Sequence, residues 1–288
     1  MDKTNQESAA FESLADVRAR IDAVDEALLQ SLIDRVGLIE AVHTFKSKSS
    51  EPHSNAMRPG RETLMLRRLI AQAEGKLPPE LILRIWRELV SWATQKQSPM
   101  GVHISGPHEN DALWDCVRAH FGGFAEIRRH DTMDGVLGVI ADKPEDVAVL
   151  PAGVGKIETW LGALMSDIAG GAKIAGCLPL IGAEPEAYLL GTMAVEETGD
   201  DRSLIYMVAD PNQSETNVKA AFEAGGLEVV SLLPSEIIPL DGSKIWLVTL
   251  EGHCDQISGG LELLAAGDGI NAAHYIGGYP APIDVGDS

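Results

Sequence analysis

The chain has 288 residues, 45% of them hydrophobic, a mean hydropathy of +0.01 and a formal net charge of −20. That length suits two or three small domains rather than one core, and no apolar run approaches the roughly 18 residues of a membrane span. The charge is split: residues 1–99 hold 14 Lys/Arg and 14 Asp/Glu, residues 100–288 hold 9 and 29, and so acidic a back half argues against nucleic acid as a partner.

The opening stretch, MDKTNQESAAFES, lacks the apolar core of a secretory signal. Cys116, Cys177 and Cys254 are odd in number and show no CxxC spacing, which suits reduced thiols better than disulfides or zinc. A cytoplasmic protein without membrane, metal or cofactor is expected.

Leu14, Val17, Ile21, Val24, Leu28, Leu32, Val36, Ile39 and Val42 recur at steps of three and four, which predicts one helix from Leu14 to Lys46. At about 1.5 Å per residue it is about 50 Å long. A polar loop follows, SKSSEPHSNAM (47–57). Pro59 and Gly75 bracket a second helix, and a third runs from Pro78–Pro79 to about Gln97, with Ile82, Ile85, Leu89 and Ala93 on one stripe. The two short helices cannot cover the apolar face of the long one, so a second copy of the chain is expected to do so.

Arg35 and Lys46 are eleven residues apart, three turns plus about 20°, and so share the apolar face of the first helix. Uncompensated buried charge costs several kcal/mol, which calls for an anionic guest. Arg18 lies roughly 26 Å from Arg35 along the axis and about 100° round it. It cannot serve the same small ligand from the same chain, but in an antiparallel dimer it meets the partner's Arg35 and Lys46.

Beyond Met100, GVHISG, AEIRRH, DVAVLP and AKIAGCLPLIGA read as short strands alternating with helical runs such as DALWDCVRAHFG, an α/β pattern. From Arg202, SLIYMVA, SETNVKAAFEAGG, LEVVSLLP, SKIWLVTLEG, CDQISGGLELLAAG and AAHYIGGYP follow a ferredoxin-like order of strands and helices. IDVGDS is a polar tail. The predicted domains are 1–99, 100–201 and 202–288.

Arg18, then DEALLQSLIDR ending in Arg35, then Lys46, then RPGRE with Arg61 and Glu62, resemble the all-helical class of chorismate mutase over about residues 14–97. The resemblance implies an intertwined homodimer with shared sites, chorismate as substrate and a Claisen rearrangement to prephenate without a cofactor. It makes Arg18 and Arg35 carboxylate binders, Lys46 and Gln97 donors to the breaking ether oxygen, Arg61 a supporting cation and Glu62 a partner for the substrate hydroxyl. Arg58 and Ala93 stand where better-known members often carry Asp and Ser.

Residues 100–288 are similar, more weakly, to prephenate dehydratase followed by an ACT domain. The matching pieces are Gly106-Pro107, Val149-Leu150-Pro151, Glu251-Gly252-His253 and Gly277-Gly278-Tyr279-Pro280. The dehydratase Thr-Arg-Phe triplet lines up with Asp201-Arg202-Ser203 and its Glu-Asn-Ser with Ala152-Gly153-Val154, and only about one of two lobes is present, so a degenerate, inactive lobe is expected. An ACT-like unit implies an aromatic amino acid effector, although LLPSEI replaces the Glu-Ser-Arg-Pro run that accompanies phenylalanine binding. A bifunctional mutase/dehydratase, an isochorismate pyruvate lyase and an inactive regulatory relic remain alternatives. PAGVGKIET lacks the earlier glycine and the Ser/Thr of a phosphate loop. His253-Cys254-Asp255 reads as an improbable ligand set in a loop.

Overall fold

A computed structural model describes residues 13–48, 56–106, 111–166, 168–237, 239–264 and 269–285; the side chains of 43, 46–48, 111 and 262–264 lie outside the described set. Contacts divide the chain into two compact units, Met1–Pro52 and His53–Ser288.

The first unit is one helix, α1 (Leu14–Lys48). Ser13 opens it: its Oγ accepts from the Asp16 N–H at 3.2 Å and donates to the Asp16 carboxylate at 2.8 Å, so an otherwise unpaired first-turn amide is satisfied. The expected apolar stripe is largely uncovered. Leu14, Ile21, Val24, Leu28, Leu32 and Val42 remain 38–64% exposed.

The second unit begins with α2 (Pro59–Ala73) and α3 (Pro79–Gln97). Proline sits in the first turn of each, where a missing N–H costs nothing. Glu74 at φ 50° and Gly75 at φ 72° end α2 in the left-handed conformation, as the glycine signal predicts. The α3 stripe differs from the expected one. Ile82 and Ala93 are buried, but Ile85 is 43% exposed, and Arg87, Ser91 and Thr94 face inward. The helix is turned because its polar side chains, and not only its apolar ones, find partners on the lobe.

The lobe follows as β1 (Gly101–Ser105), α4 (Asp111–Phe121), β2 (Glu126–His130), α5 (Met133–Asp142), β3 (Val147–Pro151), α6 (Glu158–Met165), β4 (Lys173–Leu178) and β5 (Ala187–Gly191). Then come β6 (Asp201–Ala209), α7 (Glu215–Ala224), β7 (Val229–Pro234), β8 (Lys244–Glu251), α8 (Cys254–Leu264) and β9 (Ile270–Pro280). The last six elements have the expected ferredoxin-like order. All nine strands join one mixed sheet, β2-β1-β3-β5-β4-β9-β6-β8-β7.

Alternation along the strands shows that both faces of this sheet are covered. In β3, Val147 and Val149 enter the core that contains Val117 and Phe121 of α4, whereas Ala148 and Leu150 enter the one that contains Trp160 of α6. A strand buried on both sides reads as the continuous apolar run VAVLP. The second of these cores continues across the sheet to Leu204, Ile245 and Leu247. Residues 201/202, taken from sequence as a boundary, therefore fall at the start of a strand inside a shared core.

β4 and β9 make the seam, a parallel pair registered at Ile174 and Gly277. Gly277 has φ 138°, and a Cβ there would strike the backbone N, Cα and O of Ile174. Only glycine allows so close an approach.

Candidate functional site

In α1, Arg18 is exposed, and Arg35, with Val36 beside it, is half-buried. Partial desolvation lowers the Arg35 guanidinium from its ordinary value. Lys46 lies on the last helical turns, and its side chain is outside the described set.

In the second unit Arg61 and Glu62 occupy the first turn of α2 with opposite fates. Arg61 is exposed, and its backbone N–H donates to Glu196 Oε2 at 3.1 Å. Because α2 has no side-chain cap of its own, that carboxylate supplies one from the segment before β6. Arg58 donates to the same carboxylate through Nε at 2.9 Å. Where the family resemblance leads one to expect Asp, Arg58 thus fastens α2 to the lobe. Arg67 does likewise further along, donating to Thr198 Oγ1 at 3.0 Å and to the Ala281 carbonyl at 2.8 Å.

Glu62 is buried. Its Oε2 is ion-paired with Arg87, itself buried, and its Oε1 accepts from the Arg58 N–H at 3.3 Å. Arg87 Nε donates to the His120 carbonyl at 2.6 Å, and Ser91 Oγ donates to the Phe121 carbonyl. These are last-turn carbonyls of α4, which have no partner inside their own helix. The Glu62–Arg87 pair therefore ties α2, α3 and α4 together. Gln97, the final residue of α3, is half-buried, and its side chain makes no hydrogen bond among the described residues.

Two groupings escape a sequence reading because the partners are far apart in the chain. In the first, His103 Nε2 meets Asp146 Oδ2 at 2.9 Å and His103 Nδ1 meets His130 Nε2 at 2.8 Å. With Asp146 ionised, the proton on His103 sits at Nε2 and His130 donates to Nδ1. Alternation along β1 sets His103 opposite the apolar Val102 and Ile104, a position that reads as solvent-facing until the second face of the sheet is seen to be covered.

The second is a cleft of about 1120 Å³ between the lobe and the ferredoxin-like part, lined among others by Gly153, Glu184, Tyr188, Arg202, Thr249 and Tyr279. The Tyr188 and Tyr279 rings lie 5.4 Å apart, and burial pushes the Tyr188 phenol up to about 12 and that of Tyr279 well above its usual range. Arg202 Nη1 is held by Asp200 Oδ1 at 3.0 Å and Glu251 Oε1 at 2.8 Å. Asp201 is buried with its oxygens occupied: Oδ2 accepts from the Thr198 and Gly199 N–H groups at 2.7 and 3.1 Å, and Oδ1 from the Thr198 hydroxyl at 2.7 Å. It cannot readily deliver a proton to a guest. Ala152-Gly153-Val154 offers no acid or hydroxyl.

His253, Cys254 and Asp255, expected to be an unlikely ligand set, stand at the start of α8 with one potential ligand atom each, all within 4.8 Å of one another. Among the described residues no helix is long and apolar enough to cross a membrane.

Residues 17–98 match the family described as chorismate mutase type II. The chain is 27% identical over 134 residues to a bifunctional chorismate mutase/prephenate dehydratase of Neisseria gonorrhoeae, covering 46% of this chain and 35% of that one. It is 29% identical over 142 residues to that of Stutzerimonas stutzeri, covering 49% and 39%. The chain thus spans well under half the length of these curated relatives. Among solved structures it is similar to a prephenate dehydratase from Streptococcus mutans, at 16% identity and a TM-score of 0.46 over 62% of this chain and 97% of that one. It is also similar to GqqA, described as a novel type of quorum quenching acylase, at 14% identity and a TM-score of 0.49 over 62% and 94%.

Proposed function

We propose that this protein is a chorismate mutase acting as a homodimer, with residues 17–98 carrying out the rearrangement of chorismate to prephenate. The observation that carries this reading is the family match over those residues, which include Arg18, Arg35, Lys46 and Arg61, the cations that the resemblance assigns to the chemistry. The step is pericyclic, so the enzyme's contribution is positioning and electrostatics, with neither a covalent intermediate nor a cofactor.

Two guanidinium groups, Arg18 from one copy and Arg35 from the other, clamp the two carboxylates of the substrate in its compact conformer, a task that suits planar forks better than ammonium groups. Lys46 and Gln97 donate to the ether oxygen as the C–O bond breaks and negative charge gathers there; one such donor is typically worth about 2.7–4 kcal/mol. Arg61 adds positive charge, and Glu62 accepts from the substrate hydroxyl. A cytoplasmic location fits this chemistry.

The test is loss of chorismate absorbance with the purified chain, products being separated by chromatography. Prephenate as sole product supports the proposal, and no turnover removes it. Lys46→Ala is expected to lose at least about 100-fold in kcat with an unchanged circular dichroism spectrum. Wild-type rates in that variant would refute the role of Lys46.

A second reading, a bifunctional mutase and dehydratase, is favoured by the names of the relatives. Against it stand the occupied Asp201 carboxylate and a cleft wall without acid or hydroxyl at Ala152-Gly153-Val154. Phenylpyruvate formed from added prephenate would establish it. An aromatic amino acid as effector is a separate proposal, tested by calorimetry with phenylalanine, tyrosine and tryptophan.

A further inference from the structure

We propose that His253, Cys254 and Asp255 form a binding site for a thiophilic divalent metal ion of the zinc class, independent of the mutase chemistry. The spacing of the ligand atoms supports this. In a tetrahedral site with metal–N and metal–O near 2.1 Å and metal–S near 2.3 Å, ligand atoms lie about 3.4–3.6 Å from each other. Here His253 Nδ1 is 3.6 Å from Asp255 Oδ2 and 3.7 Å from Cys254 Sγ, and Sγ is 3.8 Å from Asp255 Oδ1. The two Asp255 distances are to different oxygens of its carboxylate; with one ligand atom taken from each residue, all three lie within 4.8 Å of one another, so a rotation of the exposed carboxylate and a small turn of the thiol bring them to the tetrahedral edge.

The histidine is already set up as a ligand. Its Nε2 lies 3.3 Å from the Val195 carbonyl, which only an N–H can satisfy, so the proton belongs on Nε2 and the lone pair on Nδ1. The Asp255 N–H points at Nδ1 from 3.5 Å, which agrees with that tautomer, and an incoming ion displaces this long contact from the lone pair. A backbone carbonyl holding the remote N–H of a ligating imidazole is the outer-shell arrangement that fixes ring orientation in metal sites. His253 is 7% exposed and held in place, whereas Asp255 is exposed, so an ion has a path in.

Charge balances. On loading, the Cys254 thiolate and the Asp255 carboxylate supply two negative charges that offset a divalent ion. The Tyr275 hydroxyl is enclosed beside Cys254 with no hydrogen bond of good geometry. A thiolate at Cys254 gives it an acceptor. Loading releases the Cys254 proton to solvent and leaves the fourth position open. Sγ is also 3.7 Å from Nε2 and thus lies off the Nδ1 lone-pair axis, so binding requires the thiol to turn toward that axis.

Cobalt(II) is the probe, titrated into the chelator-treated full chain. The expected result is a near-ultraviolet thiolate-to-cobalt band with visible tetrahedral bands, saturating at a single site and erased by zinc. Cys254→Ser removes the thiolate band, Cys116→Ala and Cys177→Ala keep it, and Asp255→Asn weakens binding about 10-fold or more. In the unaltered chain, zinc is expected to slow alkylation of Cys254 by iodoacetamide, followed by peptide mass spectrometry, which needs no variant to fold. Absence of the band, its persistence in Cys254→Ser, or alkylation of Cys254 unaffected by zinc would overturn the site.

Discussion

Glu62 has two claims on it. The family resemblance gives it to the substrate hydroxyl, and the fold gives it to Arg87, which is itself fixed by the His120 carbonyl. In the fold Glu62 is buried, with Oε2 on Arg87 and Oε1 on the Arg58 N–H, so contact with a substrate hydroxyl would have to use a remaining lone pair of these oxygens. Removing one partner of a buried pair leaves an uncompensated charge at a cost of about 3–5 kcal/mol. Arg87→Leu is expected to lose that much in chemical denaturation, and Arg87→Leu/Glu62→Leu to regain most of it. A single variant as stable as the wild type would contradict the pairing. His120 gives a pH dependence. Burial first, and then the Arg87 charge, hold its imidazole well below the ordinary 6.5. Above about 6.5 both folded and unfolded chains are neutral there. As pH falls below it, the unfolded chain takes a proton that the folded one refuses, so stability declines by up to about 1.4 kcal/mol per pH unit until the folded imidazole titrates. His130, lowered by burial and by His103, acts with the same sign. Denaturation at pH 7.5 and 5.5 is expected to show this loss, and His120→Leu to reduce it.

At the scale of elements, the period of α1 gave its extent to within two residues at the C-terminus, because a 35-residue amphipathic pattern leaves little freedom in helix assignment. Its exposed stripe is the feature from which a second copy is proposed. Ile21→Gln/Leu28→Gln is expected to convert a dimer to a monomer by light scattering and abolish mutase activity, while thermal unfolding of the sheet is unchanged; a variant that stays dimeric and active would sink the arrangement. The facing of α3 was misjudged. Ile82 and Ala93 face inward as their period requires, but Ile85 does not, because Arg87 and Ser91 satisfy carbonyls of α4, and a hydrophobic count assigns such residues to solvent. α5, α6 and β5 are short and mostly apolar, and periodicity does not distinguish strand from buried helix in such runs.

For the molecule as a whole, the seam between lobe and ferredoxin-like part rests on close backbone approach at Gly277. Gly277→Ala is expected to cost about 3 kcal/mol or more, since the added Cβ meets the Ile174 backbone and φ 138° strains any other residue. A melting temperature unchanged by that substitution would show that the seam can part without consequence. Because one core runs from Trp160 across to Leu247, heating is expected to unfold lobe and ferredoxin-like part in one calorimetric transition.

Sequence by itself determined the long helix, the spacing of its cations, the order of strands and helices and the split in charge, since each depends on neighbours within a few turns or along one strand. Tertiary structure alone decided that the sheet is continuous, that Glu62 is turned to Arg87, that Asp201 is spent on loop amides and that His103 lies between Asp146 and His130. The sheet, the Glu62–Arg87 pair and the His103 contacts depend on partners 25 to 103 residues apart, and Asp201, whose partners lie two and three residues before it, depends on burial and loop conformation. Local periodicity carries no information about either.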